Sequence, residues 1–241
     1  MSTNLDALLG EIEERLNAEA DPKRATFGEG YHATSMRIRG VRMPALTGIA
    51  GDLARRLRDE PGTAVELTSR LVESGGYDER TLAYILLSRH RSALASLRAD
   101  RIEALGAGMD NWASVEAFCT RVAGPAWLAG QLDDAVIDRW SRSPDRWWRR
   151  AALVSTTALN KKRAGSKGDA PRTLALCERL AGDRDDMVVK AVSWALRALS
   201  ERDPDAVHAF LDAHEDNLEA RVKREVRRKL ETGLKNPRQR A

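Results

Sequence analysis

One short pattern occurs twice in this chain, forty residues apart. Arg149-Arg150-Ala151-Ala152-Leu153-Val154 returns as Val189-Lys190-Ala191-Val192-Ser193-Trp194. In both, a basic residue is followed by small or branched residues of the kind that let helices pack closely. A period near forty is that of stacked helix pairs, each of which buries its apolar face only against its neighbours. The other reading is a chance likeness between two amphipathic helices. The rest of the chain bears on which holds.

Helical signals run throughout. Leu5, Leu8, Leu9, Ile12 and Leu16 form one apolar stripe, ended by Asp21-Pro22. Thr26 to Val41 is looser, with Gly28, Gly30 and Gly40 around Tyr31. Pro44 and Pro61 sit where first-turn prolines belong, and Asp78 is placed to cap the helix that carries Leu82, Ile85, Leu86 and Leu87. Ile102 and Leu105 follow Asp100, and the helix that begins near Trp112 is closed by Gly124-Pro125. Pro144, Pro171 and Pro204 each open another helix. No β-branched alternating run interrupts the series, so the expected fold is all-α with short linkers. With the forty-residue period, it is that of HEAT or armadillo solenoids, which present a concave face.

Composition narrows the function classes. At 241 residues the chain makes one large domain or two small ones, and it contains no apolar run long enough to span a membrane. Met1 to Asp6 lacks the basic-then-apolar layout of a signal peptide. Cys119 and Cys177 lie in apolar helical patterns and read as buried free thiols, while His32, His90, His208 and His214 are scattered. We therefore expect no metal and a reducing cytoplasm. Charge is uneven: Arg142 to Arg172 holds nine Lys or Arg against two acids, and Arg221 to Arg240 another nine against two. Such clusters are either a surface for a polyanion or solvated helix faces.

The stretch Asp110-Asn111-Trp112-Ala113-Ser114-Val115-Glu116 carries the most specific chemistry. On a helix, Trp112 and Glu116 lie one turn apart on the same face, while Val115, Phe118 and Cys119 point toward a core. An indole beside a carboxylate can hold a cationic group, through the ring face and the full charge together. The alternative is a half-buried Trp next to a solvated Glu.

Five motifs in order resemble the DNA alkylation repair (AlkD-like) family of HEAT-like-repeat DNA glycosylases. They are Tyr31 followed by Gly40-Val41-Arg42-Met43-Pro44, then Asn111-Trp112-Ala113-Ser114-Val115-Glu116, then Trp148-Arg149-Arg150-Ala151-Ala152. Lys190-Ala191-Val192-Ser193-Trp194-Ala195-Leu196-Arg197 and Lys223-Arg224-Glu225 complete the set. The resemblance implies a right-handed α-solenoid of HEAT-like repeats over residues 1–235, with a concave DNA-binding groove and a frayed basic tail at 236–241. It implies excision of cationic alkylated purines from duplex DNA by a monomer, with neither metal nor cofactor and without extruding the base. By position, Tyr31, Trp112 and Trp194 would line the lesion and Glu116 would be the catalytic carboxylate. Arg150 and Arg197 would contact the DNA backbone, and Arg149 and Lys190 beside them join as candidates.

The chain departs from the family in four places. Glu116 stands where the usual residue is Asp, Asn111 where an aromatic often precedes the Trp, and Ala33 where a basic residue often follows the Tyr. Gly28-Glu29-Gly30 replaces a firmer helix. Trp127, Trp140 and Trp147 fall at core spacing, and Trp148 reads as packing or as a DNA-stacking ring. Lys161 to Gly168 is a basic loop that touches phosphate or is a solvated linker; its Gly165-Ser166-Lys167-Gly168 lacks phosphate-loop spacing. Three functions remain open: a glycosylase, a non-catalytic DNA-structure-binding relative, and a scaffold for a protein partner.

Overall fold

Proline and aspartate mark the helix starts. Pro22, Pro44, Pro61, Pro171 and Pro204 each occupy the first turn of a helix, where the missing amide has no partner to lose. Asn4, Asp21, Asn111, Asp145, Asp169, Asp185 and Asp203 cap helices by accepting from backbone amides of the first turn. Each such cap contributes about 1 kcal/mol. Pro144 stands just outside its helix, ahead of the cap Asp145.

The computed structural model describes residues 4–162 and 167–235. The tail 236–241 and the centre of the basic loop, 163–166, lie outside the described residues. The chain divides into two compact units, Met1–Ala126 and Trp127–Ala241. The first holds α1 (Leu5–Ala18), α2 (Pro22–His32), α3 (Met43–Arg56), α4 (Pro61–Glu73), α5 (Tyr77–Arg89), α6 (Arg91–Ser96), α7 (Ala99–Gly106) and α8 (Trp112–Phe118). A π-turn, Cys119–Ala123, leads into α9 (Gly124–Leu128), where the division falls. The second holds α10 (Asp134–Ser141), α11 (Arg146–Asn160), α12 (Ala170–Arg179), α13 (Asp186–Leu199), α14 (Pro204–Ala213) and α15 (Ala220–Thr232).

The fold is all-α, of stacked HEAT-like helical repeats. In the second unit, α13 packs between α11 and α15, with α12 and α14 against it and α10 against α11. The two copies of the repeated hexapeptide therefore lie on helices that pack together, α11 and α13. In the first unit α5 is the centre, packed by α3, α4, α8 and the π-turn. Every residue from Asp78 to Leu87 on α5 is buried, so the helix has no solvated face and little amphipathic pattern. Tyr84 and Phe118 meet in this core with ring centroids 5.7 Å apart. Trp127, Trp140 and Trp147 are buried as expected, and Trp148 packs on Trp140 at 4.8 Å. Both cysteines are buried free thiols. Among the described residues no helix is long and apolar enough to cross a membrane.

Three local expectations are corrected. The segment around Gly28 is not loose: α2 runs from Pro22 through it, and Gly28 is buried because an added Cβ would press on Ile38 at 3.2 Å. Asp78 does not cap α5, whose cap position is Gly76; its buried carboxylate instead accepts from the amides of Arg39 at 2.6 Å and Val41 at 3.1 Å. Gly124-Pro125 does not end the Trp112 helix. Proline lacks an amide and crowds the carbonyl four residues back, and the widened turn, in which Gly124 N–H reaches Cys119 O, accommodates it.

Candidate functional site: an aromatic cluster beside a carboxylate

The entry to α8 is fixed by two polar residues. Asn111 is fully buried, accepts from Ser114 N at 2.9 Å and donates to Ser114 Oγ at 3.0 Å and Thr34 Oγ1 at 3.2 Å. An aromatic ring could make none of these bonds, which accounts for asparagine at this position. Asp110 accepts from Thr34 Oγ1 at 2.5 Å, Ser35 N at 2.6 Å and Ser35 Oγ at 2.7 Å. Burial opposes ionisation of Asp110, but the bonds from Thr34, Ser35 and Asn111 outweigh it and hold the carboxyl below its ordinary value. The segment after α2 is thus bonded to the start of α8. Val115, Phe118 and Cys119 point into the core, leaving Trp112 and Glu116 half-buried on another face.

Around Trp112 the fold gathers aromatic rings from three helices. Tyr31, at the end of α2 and 58% exposed, meets the indole edge-on at 5.6 Å and stacks on Phe27 at 5.5 Å. His32 lies 5.3 Å from the indole and 5.2 Å from Tyr31, and stacks on Tyr77 of α5 at 4.8 Å. His32 Nδ1 is buried with no hydrogen-bond partner among the described residues, and burial lowers the ring's proton affinity. Burial and then the charges of Asp78 and Glu116 push the Tyr77 phenol up to about 12, so it remains a neutral donor. Glu116 makes no side-chain hydrogen bond or ion pair among the described residues. Other carboxylates without such a partner, among them Glu14, Glu73 and Asp100, are exposed, whereas Glu116 is half-buried.

Beside the cluster is a cavity of about 510 Å³ lined by Phe27, Tyr31, His32, Ile38 and Tyr77, with Asp78 at its wall. Gly40 closes it. With φ at +79°, and with an added Cβ only 2.4 Å from Asp21 O, this position admits no side chain. Tyr31, Trp112 and Glu116 of the expected site residues therefore fall in one region of the first unit. His32, Tyr77 and Phe27 complete it, and sequence reasoning passed over them. His32 was legible only as the neighbour of Tyr31, and Tyr77 had no local signal at all.

The remaining candidates lie in the second unit. Trp194 is half-buried on α13 with no aromatic ring against it among the described residues. Arg150 is 5% exposed and donates from Nη1 to Met187 O at 2.6 Å, tying α11 to α13. Arg149 bonds Asp183 at 2.8 Å and the carbonyls of Ser143 and Pro144. Arg197 donates to Ser193 Oγ at 3.2 Å and lies 3.9 Å from Glu225. Lys190 is the more solvated, paired with Asp186 at 2.6 Å. At the foot of the basic loop, Asn160 accepts from Asp169 N at 3.1 Å and donates to Thr173 Oγ1 at 2.9 Å.

Comparison with known proteins follows this geometry. The family described as DNA alkylation repair enzyme matches residues 12–230. Among solved structures, a predicted DNA alkylation repair enzyme from Enterococcus faecalis superposes with a TM-score of 0.70 at 17% identity, covering 89% of this chain and 98% of that one. A search of curated proteins gave no match.

Proposed function

The chain belongs to the DNA alkylation repair enzyme family, and we propose that it is a DNA glycosylase that removes cationic alkylated purines from duplex DNA. The observation that carries this reading is the Glu116 carboxylate, unpartnered among the described residues, one turn beyond Trp112 at the edge of an aromatic cluster. A purine alkylated at N3 or N7 carries positive charge and already leaves easily, so the reaction needs little acid catalysis and neither metal nor cofactor. As the N-glycosidic bond stretches, positive charge grows on the deoxyribose. Glu116 stabilises that oxocarbenium-like state and orients the attacking water. The indole of Trp112 and the ring of Tyr31 add cation–π attraction, each about 0.5–2 kcal/mol when desolvated.

A carboxylate without a cation partner suits this task, because its field is not neutralised before the substrate's charge develops. Binding is to the duplex as a monomer, with the base left in the stack. Lys190 is the basic candidate most open to a phosphate, since its one partner is the exposed Asp186 while Arg149, Arg150 and Arg197 are largely withdrawn from solvent.

A second reading is a non-catalytic DNA-structure-binding protein, and the length of Glu116 favours it. One extra methylene moves the charge by about 1 Å, and such a displacement can lower a rate roughly a hundredfold. Release of free base from duplexes carrying 7-methylguanine or 3-methyladenine separates the two. Release supports the glycosylase; tight duplex binding with no release from any cationic adduct leaves only the second reading.

A further inference from the structure

The cavity of about 510 Å³ opens beside the aromatic cluster, but neither Trp112 nor Glu116 is among its walls. Cavities of about 300–1,000 Å³ with apolar walls and a few polar groups are the usual sites for small molecules. Buried Ile38, Val41 and Leu46 line the inside, whereas Phe27 and Met43, which also line it, are 70% and 46% exposed. Large apolar side chains left to water around an apolar cavity mark a surface that something covers.

Two stacked ring pairs shape the walls. Phe27 and Tyr31 lie within 16° of parallel and His32 and Tyr77 within 26°, while Tyr31 stands at 71° to His32. A flat heterocycle laid on one pair therefore turns its edge toward the other. The Tyr77 hydroxyl makes no hydrogen bond among the described residues, so a donor is free on the cavity wall. Charge narrows the choice further. Exposed Lys23 and Arg24 line the cavity, and its one acid, Asp78, is already bound by the amides of Arg39 and Val41. Beside Trp112 a carboxylate without a cation partner accompanies the rings; in the cavity none does, and a cation there would lose water without gaining a counter-charge.

We propose that this cavity is a holding site for the free alkylpurine base, the leaving group of the reaction. When the N-glycosidic bond breaks, its electron pair passes to the purine nitrogen and cancels the positive charge. The sugar takes a hydroxyl from water, and the remaining proton goes to solvent. The base is thus a cation while attached to DNA and neutral once released, and the cavity suits the neutral, flat form. The proposal rests on the glycosylase reading and adds to it a second subsite for the product.

The test titrates the full chain, without DNA, with free 3-methyladenine and 7-methylguanine by calorimetry. Saturable one-to-one binding is expected. Phe27→Ala, which removes an exposed ring, should weaken it roughly tenfold, the usual loss for a stacked base. Tyr77→Phe keeps the ring stack and should weaken it severalfold through the lost donor. 7,9-Dimethylguanine, which keeps its positive charge because N9 is methylated, should bind more weakly than 7-methylguanine. Absence of saturable binding to folded wild type, wild-type affinity in both variants, or equal affinity for the cation would overturn the proposal. Base release from alkylated duplex without binding of the free base would overturn it alone and leave the glycosylase reading standing. No release from any cationic adduct would overturn that reading, and with it the occupant as product.

Discussion

Asp110 and Asn111 fix where the Trp112 helix begins, through their bonds to Thr34, Ser35 and Ser114. Because three donors from Thr34 and Ser35 converge on Asp110, Asp110→Ala should destabilise the fold by about 1 kcal/mol in denaturant titration, mostly through the part-buried Thr34 hydroxyl, since water reaches the exposed Ser35 donors. His32 makes a different prediction. Its folded proton affinity is lowered by burial from an ordinary value of 6.5. Between the two values the unfolded chain binds more protons, so stability is complete above the ordinary value and declines as pH falls below it. The thermal midpoint of wild type should therefore drop more between about pH 7.5 and pH 5.5 than that of His32→Phe, which keeps the stack on Tyr77 and removes the titration. Equal slopes for the two proteins would show that His32 does not titrate differently on folding.

At the scale of elements, the turn between α2 and α3 shapes the cavity, and Gly40 makes that turn possible. Gly40→Ala should cost more than about 2 kcal/mol, because the residue is left-handed and its Cβ would meet Asp21 O at 2.4 Å. A variant with unchanged unfolding would mean that the turn can rebuild. Helix starts were legible in the sequence because a proline or a capping aspartate acts within one turn, as at Asp169-Ala170-Pro171 and Asp203-Pro204. The misread places depended on partners distant in sequence. Asp78 looked like a cap until its acceptor role toward Arg39 and Val41 was visible. Gly124-Pro125 looked like a stop, yet the π-turn carries the helix through it. The α2 glycines read as loose because Gly28 packs on Ile38, a contact that no local pattern encodes.

For the whole molecule, ordered motifs over most of the chain were enough to recognise the family, and the all-α stack follows from the same periodicity. The site was only half legible. Trp112 and Glu116 are linked by helical spacing and could be paired from the sequence; Tyr31 needed the family pattern; His32 and Tyr77 enter only when α2, α5 and α8 pack together. The basic residues were the least legible, since charge in a sequence does not reveal whether a guanidinium is already bound, as Arg149 and Arg150 are. What distinguishes Glu116 is that it is half-buried beside Trp112 and still lacks such a partner among the described residues. The most direct test is therefore the single-turnover rate of base release from 7-methylguanine duplex by wild type and Glu116→Gln, with affinity for the same duplex measured alongside. The account predicts at least a roughly hundredfold lower rate in the variant with affinity nearly unchanged. Full activity in Glu116→Gln would contradict it.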